Sequence, residues 1–404
     1  MSKIEELIKQ YCPDGVEYKE LGEVCGFRNG FAFKSNKFRI KGNPILRIGN
    51  IQNWQIDIEN LKYFDISDYN ENLRPFEIKN GDVIVAMSGA TTGKIGMLKS
   101  HETFYLNQRV GKFEPILKIL NNSFLFHFLL TKSDEIYVMA GGGAQPNLSS
   151  TMLMKKIKIP LPPLPVQEEI VNILDKFTSL EAELEAELEA RKKQYVYYRD
   201  KLLSFEDSVI EWKTFGEIGT FIRGNGLPKS DFSESGIGCI HYGQIYTYYG
   251  VYTNETKTFV PETIAKKLTK VNFGDVVITN TSENVEDVCK AVAWLGKEEI
   301  VIGGHACVFK HKENPKYLSY YTQTNNFSKE KKKYTKGTKV LDVSSKDLAK
   351  IRIPIPPIEE QNRIVAILDK FDALVNDIST GLPAEIKARR EQYEYYRGKL
   401  LTFN

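Results

Sequence analysis

Cys239-Ile240-His241 and His305-Ala306-Cys307, with Cys289 between them, are residue types that can hold a zinc ion. Zinc takes thiolate and imidazole ligands tetrahedrally, and period-two spacing on a strand puts both members of each pair on one face. The competing reading makes the cysteines small core residues and leaves the histidines facing water or DNA. We adopt that reading, so no metal is expected. Gly89-Ala90-Thr91-Thr92-Gly93-Lys94-Ile95 imitates a phosphate loop, but three residues separate the glycines and Ile95 stands where a magnesium-binding hydroxyl belongs. Asn314-Pro315-Lys316-Tyr317 imitates the Asn-Pro-Pro-Tyr box of amino-methyltransferases, with Lys316 replacing the second proline. No glycine-rich cofactor fingerprint precedes it. With no catalytic cluster found, the chain is expected to be non-catalytic, and the chemistry left to it is recognition.

The elements that must position any site are written twice. Ile159–Phe177 reads IPLPPLPVQEEIVNILDKF and Ile353–Phe371 reads IPIPPIEEQNRIVAILDKF, 194 positions apart. The same offset pairs Glu17–Val24 with Glu211–Ile218 and Gly49 with Gly243; Gly81-Asp82-Val83-Ile84 pairs with Gly274-Asp275-Val276-Val277 at an offset of 193. Such self-similarity decides the architecture. The 404 residues allow two or more domains. Hydrophobic residues at 42% and charged residues at 26% are an ordinary globular balance. No apolar run approaches the ~20 residues of a membrane helix, so no membrane partner is expected. MSKIEELIKQ lacks the apolar core of a signal peptide. Five cysteines in a chain this long suggest no disulfide framework, and a cytoplasmic location is expected. A net charge of +3 means that any contact with nucleic acid must be local.

Each repeat begins with a short strand, Ile157–Pro160 or Ile351–Pro354, that ends in prolines. A helix is predicted over about Val166 to Phe205. Its seam runs through Ile170, Leu174, Phe177, Leu184, Leu188, Tyr195, Tyr198 and Leu202, with Glu181 and Arg191 as breaks. A heptad seam this long predicts a coiled coil, and forty residues would span ~60 Å. In the second copy Gln392 lies 198 positions from Gln194, and Gly381-Leu382-Pro383 should kink or interrupt the helix. VIVAMSG and VVITNTS read as buried strands. The predicted fold is α+β: two tandem domains on long antiparallel coiled-coil helices, with pseudo-two-fold symmetry. The segments expected are an N-terminal helix at 1–15, domains at 16–155 and 209–350, and helical spacers at 156–208 and 351–404.

The motif I-P-L-P-P-x-x-x-Q-x-x-I-V, then L-D-K-F, then R-K-K-Q-Y-x-Y-Y-R-D-K-L-L, resembles the DNA-specificity subunit of type I restriction–modification systems. The opening Ile4-Glu5-Glu6-Leu7-Ile8 and Cys12-Pro13-Asp14-Gly15-Val16-Glu17-Tyr18 are similar to such subunits too. One departure is Val166 before Gln167, where the family often has Glu, as in Glu360-Gln361. The resemblance implies two target-recognition domains that each read half of a split, asymmetric site in double-stranded DNA. It implies two methyltransferase subunits docked on the helices, carrying S-adenosylmethionine and modifying adenine, and it allows two restriction–motor subunits to join. No cofactor is expected in this chain. Under it the helix becomes a ruler. The Leu-Glu-Ala-Glu repeat at Leu180, Leu184 and Leu188 adds ~6 Å per unit, roughly two base pairs, so repeat number is expected to set the gap between half-sites. The alternatives are an adaptor with no readout of its own, or a fused nuclease or methyltransferase.

Base edges want Arg, Lys, Asn, Gln, Ser or Thr, and phosphates want Lys, Arg and small polar groups. In the first domain the candidates are Arg28, Asn29, Lys34, Asn36, Lys37, Arg47, Asn50, Ser88, Thr91, Thr92, Lys94, Gln108 and Arg109. In the second they are Arg223, Asn225, His241, Tyr242, Gln244, Tyr246, Thr281, Ser282, Asn284 and His305, with Lys331, Lys333, Lys336 and Lys339 from a lysine-rich run. Each is also readable as an ordinary solvated turn residue. The two sets differ, so the domains should read different half-sites.

Overall fold

The computed structural model describes residues 3–52, 54–141, 146–205 and 210–403. Positions 1, 208, 209 and 404, at the edges of the expected segments, lie outside these residues. The chain divides into two compact units, Met1–Leu184 with Ile386–Asn404, and Glu185–Glu385. The two cuts fall within helices, Leu164–Ser204 and Leu382–Leu400. No helix among the described residues is long and apolar enough to cross a membrane.

The first unit holds two four-stranded sheets. One runs Lys62–Phe64, Asn43–Leu46, Phe104–Leu106, Glu77–Ile78; the other runs Cys25–Asn29, Val110–Pro115, Val83–Ala86, Ile95–Met97. Val83–Ala86 is buried along its whole length, as a run of branched apolar residues in a central strand should be. Its side chains face two cores. Val83 and Val85 pack with Phe124 and Leu129 of the Asn122–Thr131 helix and with Ile170 and Leu174 of the long helix. Ile84 and Ala86 join Leu46, Phe104 and Leu106 between the sheets. The second unit repeats the plan. One sheet runs Thr258–Val260, Ile237–Ile240, Ile300–Ile302, Thr269–Val271; the other runs Gly219–Arg223, Ala306–His311, Val276–Thr279, Ala291–Trp294, Tyr252–Thr253.

The repeated motif does the same structural work in both units. Tyr18–Glu20 pairs antiparallel with Lys158–Pro160, and Trp212–Thr214 with Arg352–Pro354; the partners Tyr18↔Pro160 and Trp212↔Pro354 differ by the sequence offset itself. Gln167 and Gln361 then clamp each helix start and are fully buried. The Asn121 N–H donates to Gln167 Oε1 at 2.8 Å, while Nε2 donates to Pro162 O at 2.7 Å. The Asn314 N–H donates to Gln361 Oε1 at 3.0 Å, and Nε2 donates to Pro356 O at 2.9 Å. A buried carboxamide that satisfies backbone groups at a proline exit explains why Gln recurs there. Val166, which departs from the family pattern, is fully buried, whereas Glu360 pairs with Arg363 at 2.7 Å.

Helix pairing is antiparallel within each unit. In the first, Phe177 stacks on Tyr396 (5.4 Å, 24°) and Glu181 meets Arg390. In the second, Tyr198 stacks on Phe371 (5.5 Å, 23°) and the Tyr195 hydroxyl reaches Asp372 at 3.4 Å. The helix runs Leu164–Ser204, two residues earlier at its start than predicted. The Gly381 region interrupts the second helical segment outright, giving Ile358–Asn376 and Leu382–Leu400. Asp377 stops the first of these. Its carboxylate accepts from the Ser379 N–H at 2.7 Å and from both neighbouring hydroxyls, which hold its pKa well below the usual range. Glu181 is no break in the seam: it is 1% exposed and ion-paired with Arg390.

Candidate nucleic-acid interface

In each unit a parallel strand pair sits inside an otherwise antiparallel sheet, and the candidate loops leave its carboxyl end. Leu46 lies beside Leu106, so Arg47 and Asn107 emerge together, and the Asn107 N–H donates to Leu46 O at 3.0 Å. Arg47 opens a tight turn whose fourth residue, Asn50, is buried. Asn50 Oδ1 accepts from the Arg47 N–H at 3.1 Å, and Nδ2 donates to Asp57 O and Asn60 O. Asn50 therefore shapes the turn from inside. The Ser88–Lys94 turn packs against it: Thr91 Oγ1 donates to Ile48 O at 3.1 Å. Thr92 is buried, with its hydroxyl donating to Gly89 O at 2.7 Å. Ser88 and Lys94 are half-buried. Gln108 and Arg109 stand exposed on the third turn, and the Met87 N–H donates to Arg109 O at 2.8 Å.

The second unit builds the same end. Ile240 lies beside Ile302, so His241 and Gly303 emerge together. Gln244 Oε1 accepts from the His241 N–H at 3.0 Å, as Asn50 does from Arg47, and Nε2 reaches Thr258 Oγ1 at 3.2 Å. His241 caps the Tyr242–Thr247 helix. Tyr242 lies between two imidazoles, 4.4 Å from His241 and 5.0 Å from His305. His305 is exposed, at φ +68°, and its carbonyl accepts from the Asn280 N–H at 2.8 Å. Thr281 and Ser282 are buried and pair with Asp342 and Leu341. The Tyr246 hydroxyl donates to Thr281 O. Burial keeps the His241 pKa below its ordinary value, and the charges of Lys229 and His305 act the same way. Burial also pushes the Tyr246 hydroxyl well above its ordinary pKa.

Gly30 and Gly224 are required at the entry to these ends. A Cβ on Gly30 would lie 1.9 Å from Asn107 O, and one on Gly224 would lie 2.0 Å from Gly303 O. Neither side chain nor backbone could yield, so only glycine fits.

The other candidates lie beside the two strand ends, as Asn225 does by bridging Gly303, or away from them. Arg28 is tied to Glu114 by paired contacts at 3.1 and 3.3 Å. Asn29 is exposed, with Nδ2 at 3.5 Å from Ser150 Oγ. Lys34, Asn36 and Lys37 lie in a loop anchored to Tyr69: the Lys34 N–H donates to its hydroxyl at 3.0 Å, and Lys37 Nζ sits 4.5 Å over its ring. Arg223 is exposed, and Asn225 Nδ2 donates to Lys267 O at 2.6 Å. Asn284 closes a local turn with Asp287. Lys331 is buried: its ammonium donates to Glu286 O at 2.9 Å and Val288 O at 2.7 Å, and burial lowers its pKa. Lys333 pairs with Glu330. Lys336, bridged to Asp342, and Lys339 are exposed near the Thr281 strand. Lys229, the 194-offset counterpart of Ser35, stands near His241, where its charge adds to the lowering of that pKa.

The other motifs take structural parts. Asn314 caps the Pro315–Tyr321 helix, its side chain accepting from the Lys316 and Tyr317 N–H groups. The Cys239 thiol is 3.3 Å from Thr258 Oγ1, and Cys289 and Cys307 are fully buried. Burial pushes both of those thiols up to about 12. Among the described residues no three His, Cys, Asp or Glu side chains are grouped to hold a metal ion.

Both units therefore present polar side chains of different chemistry on one shared framework. Residues 13–190 and 209–388 each match the type I restriction modification DNA specificity domain. The chain is 37% identical over 295 residues to the type I restriction enzyme EcoR124I/EcoR124II specificity subunit of Escherichia coli, covering 69% of this chain and 70% of that one. It is 29% identical over 419 residues to a putative type I specificity subunit of Haemophilus influenzae, covering 96% of each. Its fold is similar to the crystal structure of the S subunit from M. genitalium, with TM-score 0.55 at 16% identity over 96% of each chain. It is also similar to a chain solved in a study of assembly and conformational transition of the type I R-M system, with TM-score 0.60 at 19% identity over 96% and 98% of the chains.

Proposed function

The chain belongs to the type I restriction–modification DNA specificity family, and from that premise we propose what it reads and what it directs. It binds double-stranded DNA at a split, asymmetric site, one half per recognition domain, with the domains at 16–155 and 209–350. It brings two methyltransferase subunits to adenines in that site; S-adenosylmethionine is bound by them and not by this chain. Two restriction–motor subunits join the same assembly in the cytoplasm. The chain itself is non-catalytic.

One observation carries this reading. The same strand-end framework recurs in both units, yet it presents Arg47 and Arg109 in one and His241 and His305 in the other. Direct readout needs this arrangement: a common scaffold delivers different donors to base edges. An adaptor without readout would have no use for the difference. Co-expression with the cognate methyltransferase in a methylation-free host, followed by long-read sequencing, tests it. A methylated adenine in a split motif with a fixed gap is expected. Deleting Leu184–Glu187 should shorten that gap. Absent methylation from an assembled complex would overturn the reading.

A further inference from the structure

The two units can be superposed residue by residue at the strand ends through their backbone hydrogen bonds. Asn107 bridges Phe31 and Gly303 bridges Asn225, each in parallel sense. The Met87 N–H donates to Arg109 O, and the Asn280 N–H donates to His305 O, both at 2.8 Å. Arg109 and His305 thus occupy one structural position, although sequence spacing sets them 196 apart rather than 194. Arg47 and His241 are likewise equivalent, each following the earlier strand of the parallel pair and each stapled by a side-chain carbonyl, from Asn50 or Gln244.

Both tip side chains are exposed. Neither enters an ion pair among the described residues, whereas Arg28 and Lys333 do. His305 holds a left-handed backbone (φ +68°) that side chains rarely adopt. Such strain persists where the surroundings enforce it, and it concentrates at binding sites. Its ring is also fixed against Tyr242. On the neighbouring strand end, the Arg47 Nε is buried with no acceptor among the described residues.

We propose that this single tip position reads a base edge in each half-site: Arg109 contacts a guanine, and His305 contacts a purine N7. A guanidinium can donate two parallel hydrogen bonds to guanine O6 and N7. An imidazole can point only one N–H at a base edge, so His305 should discriminate less. The inference rests on the DNA-specificity reading and deepens it by naming the residue and the base. Tyr242, which lies against both the His241 and His305 rings, holds the second tip in place.

The test uses the full chain with its methyltransferase, carrying Arg109→His or His305→Arg, with methylated motifs read genome-wide beside the wild type. Arg109→His should relax one position of the first half-site, by about tenfold or more in discrimination, and leave the second half-site intact. His305→Arg should create a guanine preference at one position of the second half-site alone. A wild type with a split motif, and variants that leave it unchanged or alter both halves, would overturn the proposal while sparing the DNA-specificity reading. A wild type with no split motif would remove both. Should a variant melt early, Arg109→Lys and His305→Gln are read in the same way.

Discussion

The two units share their clamps and differ in what fills the joints. Gln167 and Gln361 make the same two bonds to equivalent backbone positions, and differ in a third, which Nε2 donates to Ile119 O in one and to the Glu313 carboxylate in the other. Around them, the polar contacts between helix and recognition domain are rewritten. In the first unit His127 is fully buried and bonded on both sides, Nδ1 to the Tyr393 hydroxyl and Nε2 to Asp175, each at 2.8 Å. In the second, Tyr320 fills that place and donates to Asp369 at 2.8 Å, while Lys316 pairs with the same carboxylate. Glu181 with Arg390 has Val375 as its second-unit counterpart, and Val375 is 2% exposed. Backbone requirements recur wherever the backbone recurs. A side-chain joint needs only to be mutually satisfied, so each unit reaches its own solution.

The largest effect should come from breaking what is shared. Gln167→Leu or Gln361→Leu leaves a buried N–H and a buried carbonyl unpaired, and each variant should cost about 3 kcal/mol. Hydrogen exchange on the full chain should place the loss in the mutated unit, with similar size in both. A loss at one position only would break the correspondence. Next in size is the joint special to the first unit. Arg390→Leu withdraws a partner from a carboxylate that is 1% exposed, and should cost about 2 kcal/mol. Glu181→Leu leaves an arginine side chain that is 47% exposed and can hydrate, so the cost should stay under about 1 kcal/mol. Equal losses in chemical unfolding would show that burial does not set this contact.

The smallest effect is one of pH, and it should be confined to the second unit. Burial lowers the His311 pKa to about 4, and Pro115 stands at the equivalent position in the first unit. The folded pKa lies below the unfolded one of about 6.5. Unfolding therefore takes up a proton in that window, and the stability present above pH 6.5 falls progressively toward pH 4. Protection factors in the second unit, taken relative to the intrinsic exchange rate at each pH, should fall from pH 7 to pH 5 more than in His311→Gln. An identical response in that variant would assign the pH dependence elsewhere.

The duplication, the buried strands, the proline exits and the long helix were all legible, because each is written in local composition and period. The seam was legible as geometry but not as chemistry. Glu181 reads as a defect along the helix, since its partner Arg390 lies 209 positions away. The site was legible only as a pool of polar residues. Asn50, Gln244, Thr92 and Lys331 have the side chains of DNA readers, yet they fold inward to satisfy turns and carbonyls. A residue's type says what it can bond, and its neighbours decide whether those bonds are already made.

The sequence by itself determined that one unit is built twice, and its repeated motif pointed to the DNA-specificity family. Local spacing and composition carry that information. Only the tertiary structure decided that Arg109 and His305 are the same position. Their equivalence depends on strand register, which side chains distant in the chain impose by burying one face and satisfying every backbone group.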